Sequence, residues 1–215
     1  MKIKNISLVV FDLDGTLIDA YPAITKSFNY TMSALKYKTR SPGVIKRAVG
    51  FGDRRLLQPF VNENDLDAAL KIYRRHHADS LVKYSRLMPG VRALLSGLKK
   101  REYMLAVASN RPSRFSNILL KHLDIRKFFD FVLCGDKISR MKPHPQILRI
   151  IMARFKVKPG RALFVGDMVI DAVTGRRAGV RTVMVPTGSS SRSEISKEKP
   201  LLIIPRVKDL SGLLF

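Results

Sequence analysis

Short apolar runs recur along this chain between longer amphipathic segments, and that alternation constrains its fold more than any other feature. The runs are Ile6 to Phe11, Tyr103 to Ala108, Phe131 to Leu133, Ala162 to Val165, Thr182 to Val185 and Leu201 to Ile204. Between them Val91, Leu94, Leu95 and Leu98 repeat at helical spacing, as do Ile147, Ile150, Ile151 and Phe155. A strand covered by helices on both faces reads as a continuous apolar run, because neither side meets water. The expectation is an α/β fold, a doubly wound, Rossmann-like parallel sheet core of five or six strands.

One interval breaks the rhythm. The chain between the first and second runs is far longer than a single crossover helix requires. Ile24, Phe28 and Leu35 make one helical stripe there, and Leu66, Leu70, Tyr73, His77, Leu81 and Tyr84 make a longer one. Ser41-Pro42 has the form of an N-cap followed by Pro at the first helical position, and Asn64 is placed to cap the long helix. Residues 18–85 therefore read as an inserted all-helical domain, with 1–17 and 86–215 forming the core. Gly188 to Ser193 reads as an exposed Ser-rich loop.

Composition narrows the class. The 215 residues include 46% hydrophobic residues, enough to build a core and to exclude disorder over most of the chain. A single cysteine, Cys134, excludes an intrachain disulfide framework and a multi-cysteine zinc cage. No apolar run reaches the ~20 residues of a membrane span, and the apolar stretch in the opening MKIKNISLVVFDLDG is too short for a signal peptide, so none is expected there. A soluble cytoplasmic protein, monomer or homodimer, is expected. Against 17 acidic residues stand 40 basic ones, a formal charge of +23. Eight lie between Lys137 and Arg161 with no acid among them; the inserted segment carries twelve basic and six acidic residues, so most of the excess belongs to the core. Such a field attracts phosphorylated metabolites or nucleic acid alike. No zinc-finger, RGG-like or aromatic-interleaved pattern singles out nucleic acid, so only incidental polyanion binding is expected.

The first apolar run ends in Asp12-Leu13-Asp14-Gly15-Thr16, and the run Ala162 to Val165 ends in Gly166-Asp167, with Asp171 four residues on. Ligands of open parallel sheets collect at the carboxyl ends of strands. Carboxylates delivered there by two strands are costly unless a cation neutralises them, and all-oxygen donors favour a hard ion such as Mg²⁺. For each Asp taken singly, turn or N-cap chemistry explains it equally well. As an ordered set they point to chemistry, because Ser109-Asn110 closes another strand and Met141-Lys142-Pro143-His144-Pro145 precedes the next helix. A hydroxyl, backbone N–H groups and an ammonium at one edge suit the oxygens of a transferring phosphoryl group.

These segments, FDLDGTL at 11–17, ASN at 108–110, MKPHP at 141–145 and GDMVID at 166–171, resemble the four motifs of the haloacid dehalogenase superfamily. Within it the chain is most similar to the phosphoglycolate-phosphatase-like group, whose helical cap is inserted after the first strand. The resemblance implies a Mg²⁺-dependent phosphatase acting on a small phosphorylated metabolite, with 2-phosphoglycolate the leading candidate. Asp12 would be the nucleophile and Asp14 the general acid and base. Metal would be held by Asp12, the Asp14 carbonyl and Asp167, with Asp171 in support, while Ser109, Asn110 and Lys142 would bind substrate. The resemblance also places a specificity loop at Gly50 to Arg55, where Gly52 and Arg54 would meet the substrate; a plain helix–turn–helix connection with solvated arginines competes with that reading. Thr16 resembles hydrolytic members, and the presence of Asp14 argues against carbon–halogen cleavage. A nucleotide, pyrophosphate or sugar-phosphate phosphatase, or a phosphomutase, is the alternative within the superfamily. A nucleic-acid- or partner-binding protein on the same fold is the alternative outside its chemistry.

Other polar residues read as structural. Adjacent residues on a helix point different ways, so His76-His77 reads as a solvated or packed pair rather than a metal site. His144 reads as an early helix residue and Cys134 as a buried small hydrophobe.

Overall fold

The structure, a computed structural model, describes residues 2–215. Strand β1 (Leu8–Phe11) is followed by a two-residue strand β2 (Ile18–Asp19), helices α1 (Tyr21–Ala34), α2 (Pro42–Ala48), α3 (Asp53–Leu57) and α4 (Leu66–Tyr84), and a second two-residue strand β3 (Arg86–Leu87). The chain continues through α5 (Val91–Lys100), β4 (Met104–Ser109), α6 (Ser113–His122), β5 (Phe131–Cys134), α7 (Gln146–Phe155), β6 (Ala162–Gly166), α8 (Val169–Ala178), β7 (Arg181–Met184), α9 (Arg192–Lys197), β8 (Leu202–Ile203) and α10 (Ser211–Leu214). Six strands form one sheet in the order β5-β4-β1-β6-β7-β8, every neighbouring pair parallel.

Alternate strand residues feed two apolar clusters. Val9, Phe11, Leu105, Val107, Leu163 and Val165 pack on one face, and Leu8, Val10, Ala106, Ala108 and Phe164 on the other. This two-sided burial is the physical cause of the continuous apolar runs. β1 is central and entirely buried, with β4 and β6 on its two sides, so its C-terminal end lies between theirs.

The helical segment leaves and re-enters the core through a narrow antiparallel ribbon, Ile18 opposite Leu87 and Asp19 opposite Arg86. Within it Ile24, Phe28 and Met32 of α1 and Leu70, Tyr73 and Leu81 of α4 are buried. Ser41 caps α2, its hydroxyl accepting from the Val44 N–H at 3.5 Å.

Several local expectations are corrected. Asn64 does not cap the long helix; it lies inside a 3₁₀ turn, Glu63–Asp65, that runs into α4. Tyr84 and Ile150 are both 37% exposed, so the stripes shift to exclude them, and on α7 Leu148 and Met152 are buried instead. His144 precedes α7, its Nδ1 accepting from the Gln146 N–H at 3.2 Å. The segment 188–193 is not wholly exposed: Gly188 and Ser189 are buried, and Ser191 caps α9.

Candidate active site

Three strand ends and one loop converge above the sheet. Asp12 follows β1 and Asp167 follows β6, and the Asp12 N–H donates to the Val165 carbonyl at 2.9 Å, which ties the two exits together. Ser109 ends β4. Lys142 arrives from the loop after β5 and is fixed through its backbone: its N–H donates to Asn110 Oδ1 at 2.9 Å, and Asn110 Nδ2 donates to its carbonyl at 3.0 Å. Lys142 Nζ then donates to Asp12 Oδ1 at 2.6 Å and to Asp171 Oδ1 at 2.8 Å.

Burial dominates the electrostatics. It pushes Asp12 up to about 7 against the opposing pull of Lys142, with the neighbouring Asp171 adding to the rise. Asp167 is held well above the usual carboxylate range, first by burial and then by Asp12 and Asp171. Lys142 is raised in turn, because the pull of Asp12 and Asp171 outweighs its own desolvation.

The residues fit a hard cation. Asp12, Asp167 and Asp171 each offer a carboxylate oxygen, and the three atoms lie within 4.8 Å of one another. Asp167 Oδ1 accepts from the Thr16 hydroxyl at 2.6 Å, but Asp167 Oδ2 is buried with no hydrogen-bond partner. The Tyr21 hydroxyl is orphaned in the same way, and both oxygens lie against Gly15. Two partnerless buried oxygens beside a carboxylate cluster are what a hydrated dication would satisfy. Asp171 is already engaged: Oδ1 holds Lys142, and Oδ2 accepts from the N–H groups of Asp167 and Met168 at 3.2 and 3.1 Å. It caps the start of α8 and anchors Lys142 at once.

Asp14 faces a partner absent from the expected set. Arg111 grips it bidentately, Nε to Oδ2 and Nη2 to Oδ1, both at 2.8 Å. Behind Arg111 stands His77, whose Nε2 accepts from Nη1 at 2.8 Å. Burial first, then Arg111 and His76, pushes His77 down to about 2, so the ring is neutral. With Nε2 accepting, its proton sits on Nδ1 and is donated to the Ser27 hydroxyl at 3.0 Å.

Two of the expected substrate contacts have protein partners in this arrangement. Arg54 turns away from the cleft to an exposed ion pair with Asp67 at 2.9 Å, because α3 and α4 present those two side chains to the same outer surface. Asn110 lines the cleft but spends both side-chain N–H donors on protein carbonyls, Lys142 and, at 2.8 Å, Gly50, which ties the helical segment to the core. Gly52 does line the cleft, with φ of 84°. Asp12, Asp14, Ser109, Lys142 and Asp171 line it too, beneath apolar Ile24, Val49, Leu56 and Phe115. Arg111 and His77 are the residues that sequence reasoning missed. A signal was available in Arg111 directly following ASN; for His77 it was its place on the buried stripe of the long helix.

Strand-end carboxylates, a buried lysine and a helical roof define a hydrolase of the α/β class. The profile of the family "Haloacid dehalogenase-like hydrolase" matches residues 9–185. The chain is 30% identical to Phosphoglycolate phosphatase 1 of Pseudomonas aeruginosa over 94% of its length and 78% of that protein's. It is also 30% identical to a phosphoglycolate phosphatase of Nitrosococcus oceani, covering 99% of this chain and 98% of the other. The crystal structure of a predicted phosphoglycolate phosphatase from Haemophilus somnus superposes with a TM-score of 0.93 at 26% identity, covering 98% of both chains. The protein belongs to the haloacid dehalogenase-like hydrolase family and is a phosphatase, a hydrolase of phosphoric monoesters. Among the described residues no helix is long and apolar enough to cross a membrane.

Proposed function

We propose that this phosphatase hydrolyses a small phosphorylated acid, with 2-phosphoglycolate the leading candidate, through an aspartyl-phosphate intermediate at Asp12 and with Mg²⁺. The observation that carries the reading is the buried cluster of Asp12, Asp167 and Asp171 with Lys142 inserted between two of its members. Asp12 attacks phosphorus and the ester oxygen leaves; water then attacks the acyl phosphate, so one difficult displacement becomes two easier ones. Asp14 protonates the leaving oxygen and later takes the proton of the attacking water. The Ser109 hydroxyl and Lys142 Nζ bind phosphoryl oxygens, and Lys142 also keeps Asp12 from facing Asp171 uncompensated. Asp12, the Asp14 carbonyl and Asp167 would hold the metal, with Asp171 supporting them. Bound there, Mg²⁺ offsets repulsion between an anionic nucleophile and an anionic phosphoryl group. Residues 18–85 act as a cap that closes over the reacting groups, and Gly52 lets the cap backbone approach them.

The test is a phosphate-release screen over phosphorylated metabolites with Mg²⁺, comparing wild type with Asp12→Asn. Turnover of a carboxylate-bearing ester, lost in the variant by at least about 10³-fold, is the expected outcome. Equal rates in wild type and variant reject Asp12 as nucleophile. Solvent ¹⁸O in the released phosphate separates hydrolysis from return of the phosphoryl group to a substrate, as a mutase would do.

A further inference from the structure

The phosphoryl end of the cleft accounts for Lys142, Ser109 and the carboxylates, but not for the second buried cation in its wall. We infer that Arg111 is the specificity-determining residue, receiving a second anionic group of the substrate, a carboxylate. The inference rests on the phosphatase reading above and adds the substrate class that the cleft selects.

The charges lining the cleft leave few choices. Asp12, Asp14, Asp53 and Asp171 are acidic; the cations are Lys142 and Arg111. Lys142 is committed to Asp12 and Asp171, Asp53 is paired with Arg74 at 2.6 Å, and His77 is neutral. An anion on the part of the substrate remote from phosphorus meets repulsion everywhere except at Arg111.

Arg111 is also built as a receptor. A guanidinium has five N–H donors. Two go to Asp14 and one to His77, leaving two without a protein acceptor in a residue only 8% exposed. Buried donors of a charged group are rarely left unmet, and a ligand oxygen at this position meets them. The fork already accommodates one planar carboxylate, that of Asp14, in the bidentate geometry that arginine favours. It is braced from behind: His77 is stacked on Tyr73 with centroids 4.7 Å apart, set edge-on to Phe115, and bonded to Ser27. Little freedom is lost when a ligand binds so rigid a fork. His77, Tyr73 and Ser27 all belong to the helical segment, so the receptor is complete only when that segment lies over the core.

The competing role, that Arg111 only positions Asp14, is separable by ligand chemistry. Calorimetry in Mg²⁺ compares 3-phosphonopropionate, a non-hydrolysable isostere carrying the carboxylate, with propylphosphonate, which lacks it. Wild type is expected to favour the carboxylate ligand by about tenfold or more, the factor of one charge-assisted bidentate contact. Arg111→Met should bring that ratio to about one, and Arg111→Lys, which keeps the charge without the fork, to an intermediate value. Thermal melts confirm folding, and if the Met variant does not fold the Lys variant decides the question through the same ratio. A purely positioning role leaves the ratio unchanged in both variants, which overturns the inference. Wild type that hydrolyses esters without preferring the carboxylate sinks the Arg111 assignment alone. Absence of both phosphonate binding and phosphate release from any ester sinks the phosphatase reading and this inference with it.

Discussion

At the residue scale, the site gathers four carboxylates, Asp12, Asp14, Asp167 and Asp171, against two cations, Lys142 and Arg111. Asp167 Oδ2 has no partner, and Asp12 is raised from its ordinary value to about 7 chiefly by burial. The folded protein therefore keeps the Asp12 proton to higher pH than the unfolded chain does. Protons are released on unfolding between the two values, so the contribution of Asp12 to the stability of the metal-free protein is fully present below about pH 4 and is lost as pH rises through about 7. On the proposed ligand set, Mg²⁺ would compete with that proton. Thermal melts should show a larger Mg²⁺-induced rise in Tm at about pH 8 than at about pH 5; equal rises at both would remove Asp12 from the metal's neighbourhood. Asp167→Asn replaces a carboxyl whose ionised form burial, Asp12 and Asp171 all disfavour, so the metal-free variant should be at least as stable as wild type while losing both the Mg²⁺ response and activity. An Asp167→Asn protein that keeps the full Mg²⁺ shift contradicts the proposed ligand set. That Asp12, Asp14, Lys142, Asp167 and Asp171 gather in one place was legible in the sequence, because the carboxylates follow strand ends or start a helix and Lys142 lies in the loop before α7. Arg111 and Arg54 were not separable in the same way. Which arginine enters the cleft depends on how the helices pack, and nothing in the local pattern encodes that direction.

At the element scale, the helical segment is held down by a few polar contacts onto loops of the core. Lys46 Nζ donates to the Thr187 carbonyl at 3.1 Å, Arg47 Nη1 to the Ser189 carbonyl at 2.7 Å, and Asn110 Nδ2 to the Gly50 carbonyl. Beneath it Asp12, Ser109 and Lys142 are at most 6% exposed, so a looser segment would expose them more and a tighter one would shield them from water. The ribbon of β2 and β3 is the covalent connection between that segment and the core. Arg47 also pairs with Glu194 at 3.1 Å on the surface. Exposed contacts of this kind shift an equilibrium only modestly. Arg47→Ala should therefore raise KM by about two- to fivefold with kcat changed less, because the closed state is less populated. Steady-state kinetics checks this, and an unaltered KM would place the closing contacts elsewhere. The six core strands were legible to within two residues at each end, since double-sided burial writes itself as apolar runs. The ribbon was not, because two residues per strand make no pattern, and Gly188 was misread because its burial against Asp167 depends on tertiary approach rather than composition.

At the scale of the whole molecule, an acidic, buried reaction centre sits inside a protein of formal charge +23. With 40 basic residues and 17 acidic ones, most cations have no acidic partner and remain solvated on the surface. Their combined field favours the approach of an anion that the carboxylates at the cleft floor would otherwise repel. Arg111 and Lys142 act at hydrogen-bond distance, where salt screens little; the surface field acts over a Debye length, about 10 Å at 0.1 M ionic strength. The two contributions separate on that basis. Raising NaCl from about 20 to about 200 mM at fixed Mg²⁺ should lower kcat/KM for a phosphorylated carboxylic acid several-fold and leave kcat nearly constant, since screening weakens encounter and not the bound complex. The loss should be smaller for an ester with no second anionic group, whose charge is lower. Arg111→Lys should show the same proportional salt loss as wild type for the carboxylate-bearing ester, because the surface field is unchanged by that substitution. A flat salt profile would mean that the excess charge takes no part in substrate capture, and a profile that flattens only in the Arg111→Lys variant would assign the salt sensitivity to the cleft instead of the surface.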